Sequence, residues 1–171
     1  RDTPGFDIQR GPRCAAQRAY HTWQLSFDRC RVPRSQILGN EGEGFELADR
    51  WLKMGRVWVA AAACGKLERL LELATPYAVE RKQFGQQIGK FQGVSFKLAD
   101  MITAIDAADW LTLSAAWRLD EGLDANREIA SAKVFATEML ASVTDEAIQI
   151  FGGMGLMDEL PLERFWRDAR V

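Results

Sequence analysis

The chain has 171 residues, 47% of them hydrophobic and 27% charged, the makeup of a soluble globular protein with one large domain or one domain and a piece of another. A net charge of −2 gives no reason to expect nucleic acid or an anionic membrane as partner, and no apolar run is long enough to span a bilayer. Cys14, Cys30 and Cys64 form neither an even set nor a metal-binding spacing, which fits reduced thiols in a cytoplasm or an organelle matrix.

No signal or transit segment opens the chain; Arg1-Asp2-Thr3-Pro4-Gly5-Phe6 reads as the inside of another domain. Residues 1–38 hold turn formers at Pro4-Gly5 and Gly11-Pro12. Trp23-Gln24-Leu25-Ser26-Phe27 alternates apolar and polar side chains, the period of a half-buried strand, and Arg31-Val32-Pro33 ends it. So short a strand is expected to find its partners outside the chain.

At Gly39 the period changes. Asn40 followed by Glu43 matches a helix N-cap with its capping box. From there Phe45, Ala48, Trp51, Leu52, Gly55, Trp58, Val59, Ala62, Ala63, Leu67, Leu70 and Leu71 trace a helical stripe to about Glu80, with Pro76 as a site for a kink. Alanines at 60–63 admit a close neighbour, and Gly85 and Gly89 interrupt the pattern. A second helix is expected over 91–121, with Val94, Leu98, Met101, Ile102, Ile105, Ala108, Leu111 and Ala115 on one side and Gly122 as its cap. A third, over 125–151, carries Ile129, Ala132, Ala136, Met139, Val143, Ala147 and Ile150 and stops at Gly152-Gly153. A short helix follows from Pro161. The six tryptophans and the Met101/Met139 stripe are taken as core. The fold class is mainly α, a helical bundle preceded by the tail of a β domain.

Two segments carry candidate chemistry. In Arg81-Lys82-Gln83-Phe84-Gly85, two cations can simply compensate the dipole of a helix C-terminus. With Phe91-Gln92 starting the next helix, the same loop is also suited to hold a phosphate on Arg81 while Phe84 packs on a ligand or subunit. In Gln149-Ile150-Phe151-Gly152-Gly153-Met154-Gly155, one glycine is explained by a C-cap. Three within four positions point to something lying against bare backbone. The preceding strand that a dinucleotide fingerprint requires is missing. Glu163-Arg164-Phe165-Trp166-Arg167-Asp168-Ala169-Arg170-Val171 alternates in charge, as a solvated, ion-paired face does. His21, the only histidine, has no cluster around it for a metal site or a triad and is read as a strand or loop residue.

In order and spacing these motifs resemble the acyl-CoA dehydrogenase family over nearly the whole chain. Leu25-Ser26-Phe27-Asp28 and Val32-Pro33 look like the end of the family's middle β domain, over residues 1–38. Leu38 to Phe45 looks like its link into the C-terminal four-helix-bundle domain, over 39–171 and truncated before its last helix. Arg81 to Gln92 and Gln149 to Gly153 match two flavin-contacting motifs, and Pro161 to Arg170 matches a Pro-x-x-Arg…Arg-Asp-Ala-Arg signature.

The resemblance implies FAD at an interface between subunits. Arg81 would pair with the diphosphate, Gln83, Phe84, Phe91 and Gln92 would line the same region, and Gln149, Gly152 and Gly153 would offer an amide and open backbone. Arg56, with Lys53 one turn earlier, would face an acyl-CoA substrate; without the resemblance Arg56 is a polar residue of an exposed helix face. The implied reaction is α,β-dehydrogenation of the thioester, a carboxylate taking the α-proton while hydride passes to flavin N5. The family's usual glutamate is expected beyond Val171, and the alternative position on the first bundle helix is Gly55, which cannot act as a base. The resemblance therefore implies a fragment, inactive alone, of a homodimeric or homotetrameric enzyme. Electron-transfer flavoprotein is the implied acceptor, and the compartment a bacterial cytoplasm or a mitochondrial matrix. A flavin oxidase, a monooxygenase or an enoyl-CoA reductase on the same fold, or a non-catalytic helical assembly module, are the alternatives.

Overall fold

The computed structural model describes residues 2–170; Arg1 and Val171, the outermost residues of the two terminal segments read above, lie outside the described residues. The chain divides into two compact units, one ending at Trp51 and the other running from Leu52 to Arg170.

In the first unit β1 (Phe6–Arg10) pairs antiparallel with β2 (Trp23–Phe27), Phe6 opposite Phe27, Ile8 opposite Leu25 and Arg10 opposite Trp23. The 23–27 strand thus has a partner inside the chain, which corrects the expectation that all its partners lie outside. Phe6-Asp7-Ile8-Gln9 is only two periods of alternation, easily lost among the neighbouring turn formers. Gly5 is obligatory at the entrance: it sits at φ +84°, and a Cβ there would lie 2.1 Å from the Asp28 carbonyl oxygen. The Phe6 and Phe27 rings stack at 5.1 Å, while Trp23, Leu25 and Phe27 keep most of their sheet face exposed.

Helix α1 (Gly44–Glu80) begins in this unit, later than the expected cap: Leu47 N–H donates to Glu43 O at 3.1 Å, and Asn40 lies in the turn before the helix. Glu43 reaches back to accept from the Asn40 backbone N–H at 3.2 Å, but the Asn40 side chain donates to the same carboxylate at 2.9 Å instead of capping the helix. These two bonds, side-chain bond first, hold the Glu43 carboxyl below its usual range.

In the second unit α1 runs on through Pro76 to Glu80. It is joined by α2 (Gln92–Asp120), α3 (Asn126–Phe151) and a short α4 (Leu162–Asp168). Cross-helix pairs give the direction of each. The link between α1 and α2 packs on the end of α1, with Gly89 against Ala78, and Cys64 further back meets Thr112 at 3.5 Å, so α2 runs back along α1. Lys97 pairs with Glu146, and Arg118 with Glu128 at 3.6 Å, so α3 runs back along α2. The α2 end is a Schellman cap: Gly122 at φ +66° donates to Leu119 O, and Leu123 N–H donates to Arg118 O.

The core is a small-residue seam. Ala60, Ala63, Leu67, Leu70, Ala74 and Ala78 recur at three and four positions on α1, against Met101, Ile105, Ala108 and Ala115 of α2 and Ile129, Ala132, Ala136, Val143 and Ala147 of α3. Alanine at the contacts brings backbones close, and the transfer of this apolar surface from water drives the assembly.

Two expectations fail here. All six tryptophans are exposed, from 48% at Trp166 to 74% at Trp110, and Met139 is only partly buried beside a buried Met101. The α1 stripe also holds only from Ala60 onward, since Phe45, Trp51 and Trp58 point to solvent. An alanine seam leaves no room for indoles, so the large rings fall on the outer faces. Among the described residues no helix is long and apolar enough to cross a membrane.

Candidate functional site

The two glycine-bearing motifs meet where α1 and α3 end. Arg81 continues the last turn of α1 by donating its N–H to Tyr77 O at 2.9 Å, and its carbonyl accepts from Ile88 N–H at 2.8 Å. Between these anchors β3 (Lys82–Gln83) and β4 (Gln86–Gln87) form a hairpin. Phe84 at φ +52° and Gly85 at φ +81° are the two central residues of its turn, the left-handed pair a two-residue hairpin favours. A phenylalanine there is strained and, at 94% exposure, gains little from its own fold. Its one ring contact is edge-on to Phe91 at 6.3 Å, the residue before α2. Gly89, in the 3-10 turn after the hairpin, lets that turn touch α1, since a Cβ would stand 3.0 Å from Ala78 O.

Facing the hairpin, α3 ends at Phe151 and passes into a 3-10 turn, Gly152–Leu156. Its three glycines have different reasons. Gly152 has φ 61° and ψ −140°, which side-chain-bearing residues do not adopt without strain. Gly155 lies against α3, where a Cβ would be 2.8 Å from Ile148 O. At Gly153 a Cβ would meet nothing within 4 Å, and φ is not positive. The fold needs the first two as glycine; it does not need Gly153.

The helix ends are locked by Tyr77 and Phe151, whose rings stack at 4.0 Å with planes 15° apart, and Tyr77 Oη donates to Phe151 O at 3.4 Å. Above this stack lies an open groove of about 470 Å³, with Arg81, Gln83 and Ile88 on one wall and Gly152, Gly153 and Met154 on the other. No carboxylate lines it. The Arg81 guanidinium is exposed and has no ionic partner among the described residues. A cation whose backbone is anchored, in a groove shared with bare backbone and an aromatic pair, is an arrangement for an extended anionic ligand.

The structure thus brings together Arg81, Gln83, Gly152 and Gly153. It leaves Phe84, Phe91 and Gln92 outside the lining, on the hairpin tip and at the start of α2, and Gln149 exposed outside it as well. Lys53 and Arg56 are elsewhere: Arg56 precedes Tyr77 by 21 residues of one helix, about 30 Å of axis. Tyr77, Ile88 and Met154 escaped the sequence reading. Tyr77 had a signal, lying one turn before Arg81 on the same face.

The tail is more ordered than a solvated charge run. Arg167 forks onto Glu163 with bonds of 2.7 and 2.9 Å, both side chains being mostly buried, and these bonds raise the Arg167 pKa.

Residues 42–171 match the sequence model of the acyl-CoA dehydrogenase C-terminal domain. The chain is 42% identical to an acyl-CoA dehydrogenase of Bacillus subtilis (strain 168), over all of this chain and 45% of that protein. Butyryl-CoA dehydrogenase from Megasphaera elsdenii superposes with a TM-score of 0.94 at 41% identity, over 99% of this chain and 44% of that one. A chain in the solved structure of the electron transferring flavoprotein of Acidaminococcus fermentans gives 0.95 at 41% identity, over 99% and 45%. The chain spans less than half the length of these relatives.

Proposed function

The chain belongs to the acyl-CoA dehydrogenase family, and on that premise we propose that it is the diphosphate-holding part of an FAD-dependent acyl-CoA dehydrogenase. One observation carries the reading: Arg81, without an ionic partner among the described residues, and the structurally unneeded Gly153 share one groove. The fit to FAD is good on both counts, a guanidinium for the diphosphate and open backbone for close approach. Bound there, FAD supplies the hydride acceptor for α,β-dehydrogenation of an acyl-CoA thioester.

The residues of this chain then bind and orient. Arg81 neutralises diphosphate charge, Gln83 offers an amide, and Gly152 and Gly153 leave their backbone bare. Gln149 stands at the rim. Phe84, Phe91 and Gln92 meet the same cofactor or the subunit that carries it. Lys53 and Arg56 face the thioester, far along α1 from the groove. Gly55 carries no base, so proton abstraction falls to a carboxylate outside the groove.

The partners in this reading are an acyl-CoA of short chain, given the butyryl-CoA relative, and an electron-transferring flavoprotein as acceptor. A homo-oligomer, dimer or tetramer, is supported by the strained, exposed Phe84 and by the outward tryptophans. Bacterial and mitochondrial relatives support a bacterial cytoplasm or a mitochondrial matrix. The domain division is proposed at 38/39, where the hydrophobic period changes, with the β domain before it and the bundle after it.

The test is Arg81→Ala in the full-length protein. A charge-assisted bond contributes about 1.5–3 kcal/mol, and the openness of the groove favours the low end. FAD affinity, read by fluorescence titration of the apoprotein, is then expected to fall about tenfold. Unchanged affinity would remove Arg81 from the diphosphate site. A flavin-bearing wild type whose 450 nm band never bleaches with any acyl-CoA would leave the cofactor and overturn the reaction.

A further inference from the structure

We propose that Tyr77 is a positioning residue for the cofactor: its hydroxyl ties the Arg81 wall of the groove to the glycine wall and draws tight when an anion bridges the two. On the reading of the groove as a diphosphate site, on which this rests, Tyr77 sets the spacing of the walls.

Each wall is held loosely by its own helix. Arg81 follows the last turn of α1, and Pro76 inside that helix has no N–H to give to the Glu72 carbonyl one turn back. Gly152 opens the other wall at φ 61° and ψ −140°, and the last carbonyls of α3 have no partner within the helix. Tyr77 reaches both walls. Its backbone O accepts from Arg81 N–H at 2.9 Å, and its Oη donates to Phe151 O at 3.4 Å. Phe151 closes α3 and starts the Gly152–Leu156 turn. The peptide that Tyr77 holds by its oxygen is thus the one that leads into Gly152 and Gly153.

The hydroxyl is more than the fold requires. The Tyr77 and Phe151 rings stack at 4.0 Å, and a phenylalanine at 77 would keep that stack. Tyr77 is half-buried and lines an open groove, where water serves a hydroxyl nearly as well as a carbonyl does. The net contribution of the bond to the unliganded protein is therefore small. At 3.4 Å the bond is also longer than the usual O–H···O range of about 2.5–3.0 Å. A contact that is loose without ligand and shortens when an anion joins Arg81 to the Gly152–Gly153 backbone strengthens binding without strengthening the fold. Only the difference between the two states enters the affinity.

The experiment compares wild type, Tyr77→Phe, Arg81→Ala and the double variant in the full-length protein, by FAD titration of the apoprotein and denaturant unfolding of the same preparations. Tyr77→Phe is expected to leave the unfolding midpoint of the apoprotein in place and to weaken FAD binding about three- to tenfold. In the Arg81→Ala background the same change should weaken binding by no more than about twofold, because no anion then draws the two walls together. Weaker FAD binding in Arg81→Ala beside wild-type affinity in Tyr77→Phe keeps the diphosphate site and overturns the positioning role. An equal Tyr77→Phe loss in both backgrounds, or a lowered midpoint in the apoprotein, makes the hydroxyl part of the fold and overturns it as well. Wild-type affinity in both single variants overturns the diphosphate reading itself.

Discussion

Gly152 and Gly153 are adjacent, yet alanine should have opposite consequences at the two positions. At Gly152 the backbone sits at φ 61°, ψ −140°, and a Cβ has space but not a permitted conformation. Alanine there should cost about 1–3 kcal/mol of stability in the flavin-free protein. At Gly153 neither conformation nor space objects, so the same change should stay within about 0.5 kcal/mol. Flavin affinity should show the opposite weighting. A methyl at Gly153 projects into the groove where the ligand approaches, and overpacking of about 1–3 kcal/mol corresponds to at least about fivefold weaker FAD binding. The assay pairs denaturant unfolding of stripped protein with FAD titration of the same preparations. If Gly153→Ala binds FAD as the wild type does, nothing lies against that backbone and the groove loses its ligand. If it destabilises as much as Gly152→Ala, the glycine pair is a helix stop and no more.

Burial pushes the Cys64 thiol up to about 11, with Asp109 opposing and Thr112 favouring ionisation in smaller measure. Native protein at pH 8 should therefore alkylate at exposed Cys14 while Cys64 stays unmodified until unfolding, as peptide mass spectrometry would reveal. Equal labelling of the two would contradict the packed α1–α2 seam. Folding lowers the Glu43 pKa, chiefly through the Asn40 side chain. The stability it contributes is thus present above the unfolded carboxylate pKa and lost as pH falls through the lower folded value. Asn40→Ala should move the Glu43 titration upward in an NMR pH series, and an unmoved titration would assign the shift to another cause.

How much of this was legible in the chain follows from what each signal measures. Helix limits were readable because caps and breakers act locally: Gly122, Gly152 and Pro161 fall at the ends the sequence marked. Burial was less readable. A periodic stripe tells which residues share a face, not whether another element covers it, and so Trp51 and Trp58 kept the period of α1 while remaining in solvent. β1 was missed because two periods of alternation fall below what pattern can separate from a turn-rich loop.

The glycine motif teaches a finer point. Three glycines within four residues looked like one cause, bare backbone for a ligand, yet the structure assigns Gly152 to conformation and Gly155 to its contact with Ile148. Only the middle one has no duty to the fold. A sequence counts glycines without saying what each avoids, and that depends on the partner surface, which folding alone supplies. The same logic isolates Phe84, a large side chain where glycine would be easier, just as Gly153 is bare backbone where a side chain would fit. Residues that contradict their local backbone without stabilising their own fold are where function is most legible, and here one lines the groove with Arg81 while the other tips the hairpin whose Gln83 lines it.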